Sequence, residues 1–483
     1  MSTVAQHRRA LARSGIPVDP DLSQPLPKRL LKSRMFWLTL IMLGVYLTLL
    51  ILLYRQVVPD QPVPGGTVPG LGREAIPLAA KYAAITAIPL SLIFLWADRF
   101  HRQRVWVWIM TFGWGACVAT FVSAQVNTWA ASHLSIVGDG DPATGPRAAI
   151  YVAPFVEEAS KATVLFWLAI LMRYAWVSRL SGIVLAGLSA TAFAFVENIL
   201  YYGRAYRYAA RTLGQPPPLE ALQQLFMLRG LMTFFGHPLF TAMTGIGLAV
   251  ALRSKSKIVR VVAPLAGFCA ASFLHMAFNT TASLVSGPSL LWMYLGVALP
   301  LVIGMIFFVV RQVLREGKLI RERLVDYVRV GWLPDGDPLV LSRLRTRLRS
   351  LWHAIFVSPS AFVATLQMQR AATELAYLRD AMTRGIVDRA GLGREKVLLA
   401  KIRSLRTQAI LNPTGRPNYP VLRRRSAPSG MDYPAPNYPG PAGIGGYYPA
   451  TGTPVGEEPG SVPLGQAATS YSEVDPNWKP PSE

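Results

Sequence analysis

Cysteine, charge and histidine are all scarce in this chain. The two cysteines, Cys117 and Cys269, both lie inside apolar runs and exclude a disulfide framework and a cysteine metal site. Charged residues make up only 16% of the sequence against 52% hydrophobic, too little polar surface for a single soluble core. No segment reads His-Glu-x-x-His, so no one helix presents a preformed pair of zinc ligands. Acidic residues are outnumbered 26 to 49 by basic ones, a formal charge of +23, but the excess is not spread as a nucleic-acid surface. From Arg311 to Arg425 there are 23 Lys/Arg against 9 Asp/Glu, or +14 of the total, and most of the rest precedes Phe36. Basic segments beside apolar spans mark the cytoplasmic side and meet anionic lipid there, so no nucleic acid is expected as a partner.

What the chain has instead is long apolar blocks. The run from Phe36 to Tyr54 is uncharged and would rise about 28 Å as a helix, close to the roughly 30 Å hydrocarbon thickness of a bilayer. With a basic segment before it and no small-residue cleavage site after it, it reads as a retained anchor. The pattern predicts an all-α polytopic membrane protein with about eight spans, near 36–54, 76–97, 105–131, 149–172, 181–202, 230–252, 259–285 and 289–310. The distribution of Lys and Arg places both termini in the cytoplasm: seven precede the first span, and Arg99, Arg102, Arg104, then Arg253, Lys255, Lys257 and Arg260 occupy the matching loops. Arg204, Arg207 and Arg211 fall on the opposite side, and their spacing suits one face of an interfacial helix. Four regions follow: a basic N-terminal segment (1–35), a membrane domain (36–310), a basic helical cytoplasmic region (311–411) and a Pro/Gly/Tyr-rich tail (412–483). The tail lacks the apolar content to fold alone and is expected to be disordered, a candidate for binding protein partners.

Four consecutive spans carry ionisable or amide groups at bilayer depth, where each charge costs about 2.5 to 3.5 kcal/mol. Span four has Glu157, Glu158 and Lys161; span five has Glu197 and Asn198; span six has His237; span seven has His275 and Asn279. Counted from the outer edge, Glu158, Glu197, His237 and His275 lie about five to ten residues in, roughly 8–15 Å, so the spacing predicts one shared layer. Lys161 stands four residues after Glu157 and three after Glu158, within reach of either. The expectation pairs it with Glu157 and leaves Glu158 as the base. Glu197 alone has a plainer partner in Arg204. Gly182, Ala186, Ala190, Ala194 and Asn198 form a small-residue stripe that permits close helix approach. Pro154 and Pro238 remove helix hydrogen bonds near the site.

These motifs, "EEASK", "FAFVEN", the lone His237 and "HMAFN", resemble the PrsW family of intramembrane proteases, within the superfamily of CAAX prenyl endopeptidases and bacteriocin-immunity-type membrane proteins. The resemblance covers about 150–285 and implies a bacterial plasma-membrane, multi-pass endopeptidase. Its substrate would be a membrane-anchored protein in the bilayer, an anti-sigma factor being the family's known case. Carried over, the motif positions are Glu157, Glu158, Lys161, Phe193, Glu197, Asn198, His237, His275 and Asn279. Two mechanisms stay open. In the preferred one, a carboxylate activates water and the histidines donate to the oxyanion. In the other, His237 and His275 with Glu158 or Glu197 hold a divalent metal such as zinc. Rival readings are a proton- or ion-coupled transporter built on the same cluster and a non-catalytic membrane scaffold.

Overall fold

The computed structural model describes residues 25–63, 66–68, 70–100, 103–134, 147–171, 176, 178–285, 287–385, 387, 389–411 and 473–474. The expected disorder of 412–483 therefore falls, except for Glu473 and Val474, outside the described residues, as does most of the basic N-terminal segment.

The described chain is almost entirely helical. A short α1 (Leu26–Leu31) leads into α2 (Arg34–Val57), whose start is capped by the Ser33 hydroxyl. A two-stranded antiparallel hairpin, β1 (Gln61–Val63) and β2 (Gly66–Val68), precedes α3 (Gly72–Ala97). Next come α4 (Val105–Gly113), a π-helical turn (Trp114–Ala119) and α5 (Thr120–Leu134). A second π-turn (Ala148–Val152) opens α6 (Ala153–Leu171), followed by the long α7 (Arg179–Arg211) and α8 (Pro218–Leu225). A third π-turn (Phe226–Met232) and a break lead to α9 (Gly236–Leu252), then α10 (Lys257–Leu284), α11 (Pro288–Met293) and α12 (Leu299–Arg329).

Among the described residues, seven helical stretches are long and apolar enough to cross a membrane. The remaining expected span, the fourth, exists as α6 with its leading π-turn. It falls short of that description because three of its residues are ionisable: the helix that carries the chemistry is the one that least looks like a span. Together these helices make a multi-pass membrane protein.

Helix α7 is the axle of this unit. From Leu180 to Phe193 every side chain is buried, so the helix is apolar and small-residue-rich on all sides instead of along one stripe. Against it α3 lays Ala75, Ala79, Ala83 and Ala87, buried at a four-residue repeat. Gly182 of the predicted stripe meets Gly245 of α9 backbone to backbone. A Cβ on Gly182 would lie 2.1 Å from the Gly245 carbonyl oxygen, and one on Gly245 would lie 2.3 Å from that of Gly182. Neither helix can retreat without unpacking the other. Gly182→Val is therefore expected to cost roughly 1–3 kcal/mol, the usual cost of overpacking. Thermal unfolding in detergent checks this, and an unchanged midpoint would mean that the two backbones do not touch.

Arg204, Arg207 and Arg211 do not form a separate interfacial helix, because α7 continues through them. Arg211 pairs with Asp60 at 3.0 Å and Arg207 lies 3.9 Å from the same carboxylate, so the end of α7 grips the connection after α2. The Gly70 N–H, assisted by Arg211, holds the Asp60 carboxyl below the usual carboxylate range.

The chain divides into two compact units, with the boundary at Gln312/Val313 inside α12. In the second, the end of α12 packs with α13 (Asp337–Ser342), α14 (Leu344–Val357), α15 (Pro359–Thr383) and α16 (Arg389–Leu405) around Leu324, Met368 and Leu375. Its interior is pinned by paired charges: Arg394 on Glu374 at 2.7 Å, Arg379 on Asp326 at 3.1 Å, and Arg406 on Asp337.

Candidate active site

The polar groups of four helices meet inside the first unit. On α6 the inward stripe is Pro154, Glu157, Glu158, Lys161 and Leu165, all buried, while Phe155, Phe166, Trp167 and Ile170 face outward. The three ionisable residues thus share the protein-facing side, the only face on which charges at this depth find partners.

Glu158 is wholly enclosed and fully bonded. Its Oε1 accepts from Lys161 Nζ at 2.7 Å and lies 3.1 Å from His275 Nδ1, and its Oε2 accepts from the Thr241 hydroxyl at 2.7 Å. Glu157 differs. Its Oε1 accepts from Asn127 Nδ2 at 3.2 Å, but its Oε2 is buried with no hydrogen-bond partner. The nearest donors to that oxygen are Lys161 Nζ at 3.6 Å and His275 Nε2 at 3.8 Å. The expected assignment of Lys161 to Glu157 is therefore reversed in the geometry. Lys161 sits on Glu158, one turn behind it, because Thr241 and His275 hold that carboxylate in place from the other side.

His237 is the second residue of α9, where the helix restarts after the break. Pro238 falls in the first turn and so gives up no helical hydrogen bond. His237 Nδ1 lies 2.9 Å from Lys161 Nζ and His237 Nε2 lies 2.9 Å from Glu197 Oε2. The two imidazoles stand perpendicular, with ring centres 5.0 Å apart. Phe193 walls the site: Lys161 Nζ lies 4.2 Å from its ring centre, and the His237 ring meets it edge-on at 5.3 Å. Phe240 stacks on His275 from the opposite side.

Glu197 does not pair with Arg204. Its Oε2 accepts from Arg229 at 2.7 Å, while Arg229 Nε donates to Asn198 Oδ1 at 3.1 Å and the guanidinium stacks on Tyr201. Arg229 lies in the π-turn before α9, one residue outside the predicted sixth span, and the sequence reading passes over it. Asn127 and Thr241 are likewise absent from the sequence-derived set. Asn127 is an amide in a third span without charges, and Thr241 lies four residues after His237, a one-turn spacing that could have marked it.

Of the eight site residues read from sequence, Glu157, Glu158, Lys161, Glu197, His237 and His275 come together. Asn198 joins through Arg229. Asn279 does not: it is half-buried and donates to the Ala149 carbonyl at 2.8 Å, tying the end of α10 to the π-turn before α6. One turn beyond His275 is enough to carry it out of the cluster.

One set of potential metal ligands stands out among the described residues. Glu157, His237 and His275 each bring a ligand atom within 4.8 Å of the others. The donor chemistry fits a divalent ion, since two imidazoles and one carboxylate are a known catalytic zinc set with an open position. The unbonded Glu157 Oε2 is the kind of buried acceptor such an ion satisfies. His275 also has the matching support, because Glu158 next to Nδ1 leaves Nε2 turned towards Glu157. The carboxylate of this set is Glu157, whereas the sequence reading named Glu158 or Glu197.

The family model for PrsW family intramembrane metalloproteases matches residues 103–306, a stretch that includes every residue of the cluster. No curated protein and no solved structure matches.

Proposed function

We propose that this protein, whose residues 103–306 match the PrsW family model, is an intramembrane endopeptidase that cleaves membrane-anchored proteins at the Glu157–His237–His275 cluster. The observation that carries the reading is the Glu157 Oε2 atom: buried, without a hydrogen bond, and facing two histidines of other helices. A buried carboxylate oxygen in that state is open to act as a reagent or a ligand.

In this reading Glu157, His237 and His275 would hold a divalent cation, whose Lewis acidity would serve to polarise the scissile carbonyl and acidify a water. The remaining groups position and move protons. Glu158 accepts from His275 Nδ1 and keeps that ring's Nε2 turned towards Glu157, while Lys161 and Thr241 hold Glu158 in place. Glu197 has Oε2 engaged by Arg229 and His237, and its Oε1 accepts no hydrogen bond from the described residues. It takes the proton of the attacking water and returns it to the leaving amine as the C–N bond breaks. Arg229 orients Glu197 through its 2.7 Å bond to Oε2.

A second reading has its own observation. Lys161 Nζ stands 2.9 Å from His237 Nδ1 and 3.6 Å from Glu157 Oε2, a positive charge already among the same ligands. A metal-free enzyme would then use Glu157 as base and the histidines as oxyanion donors.

Comparative proteomics of shed membrane-protein fragments, in cells expressing wild type or Glu157→Gln, tests the activity and finds the substrate; membrane-anchored anti-sigma factors are the class implied by the resemblance. Fragments that depend on Glu157 are the expected result. Their absence, with pH-driven uptake into vesicles by the purified protein, would favour the transporter reading.

The bacterial plasma membrane is the proposed location, with both termini cytoplasmic. The grip of Arg211 on Asp60 and of Asn279 on Ala149 agrees with the alternation of the spans, since each pair joins segments assigned to one side, while the Lys/Arg distribution sets which side that is. Reporters fused after Tyr54 or near Gly140 are expected to read as external, and those near Lys255 or after Arg315 as cytoplasmic. Reversed signals would invert the orientation.

A further inference from the structure

Away from the active site, α2 and α3 do not close on each other. Between them and α4 and α7 runs an apolar cavity of about 1030 Å³, walled by residues such as Leu53, Ala84, Ile88, Phe112 and Val196. Its size lies at the upper end of ordinary ligand sites, about 300–1,000 Å³. A second, more polar cavity of about 830 Å³ shares three of its walls, Leu50, Tyr54 and Val58, and is lined further by Arg55, Asp60 and Arg73. The two are therefore the body and the mouth of one groove.

The charges of the mouth do not cancel. Asp60 is met by Arg211 at 3.0 Å and approached by Arg207, both from α7. Arg55 and Arg73 are exposed and make no ion pair among the described residues. Both stand where a membrane surface would lie: Arg55 directly after the uncharged run that ends at Tyr54, and Arg73 at the start of α3. A long apolar slot between spans, topped by two uncompensated guanidinium groups at headgroup level, matches one kind of molecule. Basic pockets between transmembrane helices bind anionic headgroups, and arginine grips phosphate in two places at once.

We infer that this groove binds one anionic phospholipid, with an acyl chain between α2 and α3 and the headgroup phosphate between Arg55 and Arg73. A transmembrane segment of a partner protein would also fill an apolar slot, but nothing in such a segment calls for two unpaired cations at its end.

Native mass spectrometry of the full chain, released from detergent with added phosphatidylglycerol, phosphatidylcholine or inorganic phosphate, tests the assignment. Wild type is expected to retain one phosphatidylglycerol with roughly tenfold or greater preference over phosphatidylcholine. Arg55→Gln/Arg73→Gln should remove that preference, about fivefold per arginine, and the lysine pair should keep part of it. Ala84→Trp, which fills the groove from α3, should lower retention of both lipids. Inorganic phosphate should not bind. Equal retention of both lipids by wild type and the glutamine pair would overturn the proposal, as would capture of phosphate alone. Loss of substrate cleavage in Ala84→Trp with lipid retention unchanged would assign the groove to a protein helix instead. Each variant's thermal unfolding midpoint distinguishes lost binding from lost folding.

Discussion

Glu157→Gln is expected to lower peptide-bond cleavage by about 10²- to 10⁴-fold while the protein still inserts, accumulates and unfolds at or slightly above the wild-type temperature. The substitution keeps the size of the side chain and the partner of Oε1, and it removes a buried charge whose Oε2 has no hydrogen bond. Glu158→Ala behaves differently. It strips Lys161, which is fully buried, of its 2.7 Å partner and leaves Thr241 and His275 without theirs. Breaking a buried pair from one side costs about 3–5 kcal/mol, so low yield and early unfolding are expected along with lost activity. The contrast separates a reacting carboxylate from a supporting one. A purified, stable Glu157→Gln enzyme with more than about a tenth of wild-type activity would remove Glu157 from the chemistry. A folded but inactive Glu158→Gln beside an active Glu157→Gln would exchange their roles.

The second large effect concerns metal. Purified protein is expected to carry about one equivalent of divalent cation, to lose activity on exhaustive chelation, and to recover it when the ion is returned. His237→Ala and His275→Ala should each abolish stoichiometric binding, because each removes one of the three protein ligands. Thr241→Val should weaken it by roughly 10- to 100-fold through Glu158 and His275, since it removes a supporting bond and no ligand. Metal analysis and a cleavage assay on the same preparations decide the matter. Full activity at well under a tenth of an equivalent, unchanged by chelation, would establish the metal-free reading in which Lys161 supplies the positive charge.

The resemblance to the PrsW family and the family match rest on one region, and the reasons it was legible are physical. Charges at bilayer depth are costly enough that Glu157, Glu158, Lys161, Glu197, His237 and His275 could be grouped before any contact was known. The helices were legible for the same kind of reason, because a span needs about twenty apolar residues and leaves little else for them to do. Arg229 was missed since it sits at a span's edge, where a basic residue is ordinarily an interfacial anchor. Its capture of Glu197 depends on the π-turn Phe226–Met232 and the break before α9.

Sequence by itself determined the all-helical, multi-pass architecture and which side chains would seek one another inside it, because helix period and the cost of burying charge act locally, residue by residue. Only the tertiary structure decided which carboxylate is held and which is free. Lys161 can reach Glu157 at i+4 or Glu158 at i+3, and nothing along α6 separates the two. Thr241 from α9 and His275 from α10 arrive on Glu158, satisfy both its oxygens with the lysine, and leave Glu157 Oε2 without a partner. That outcome depends on how helices distant in sequence pack around α7, where Gly182 and Gly245 set the approach, and packing of that kind has no local trace.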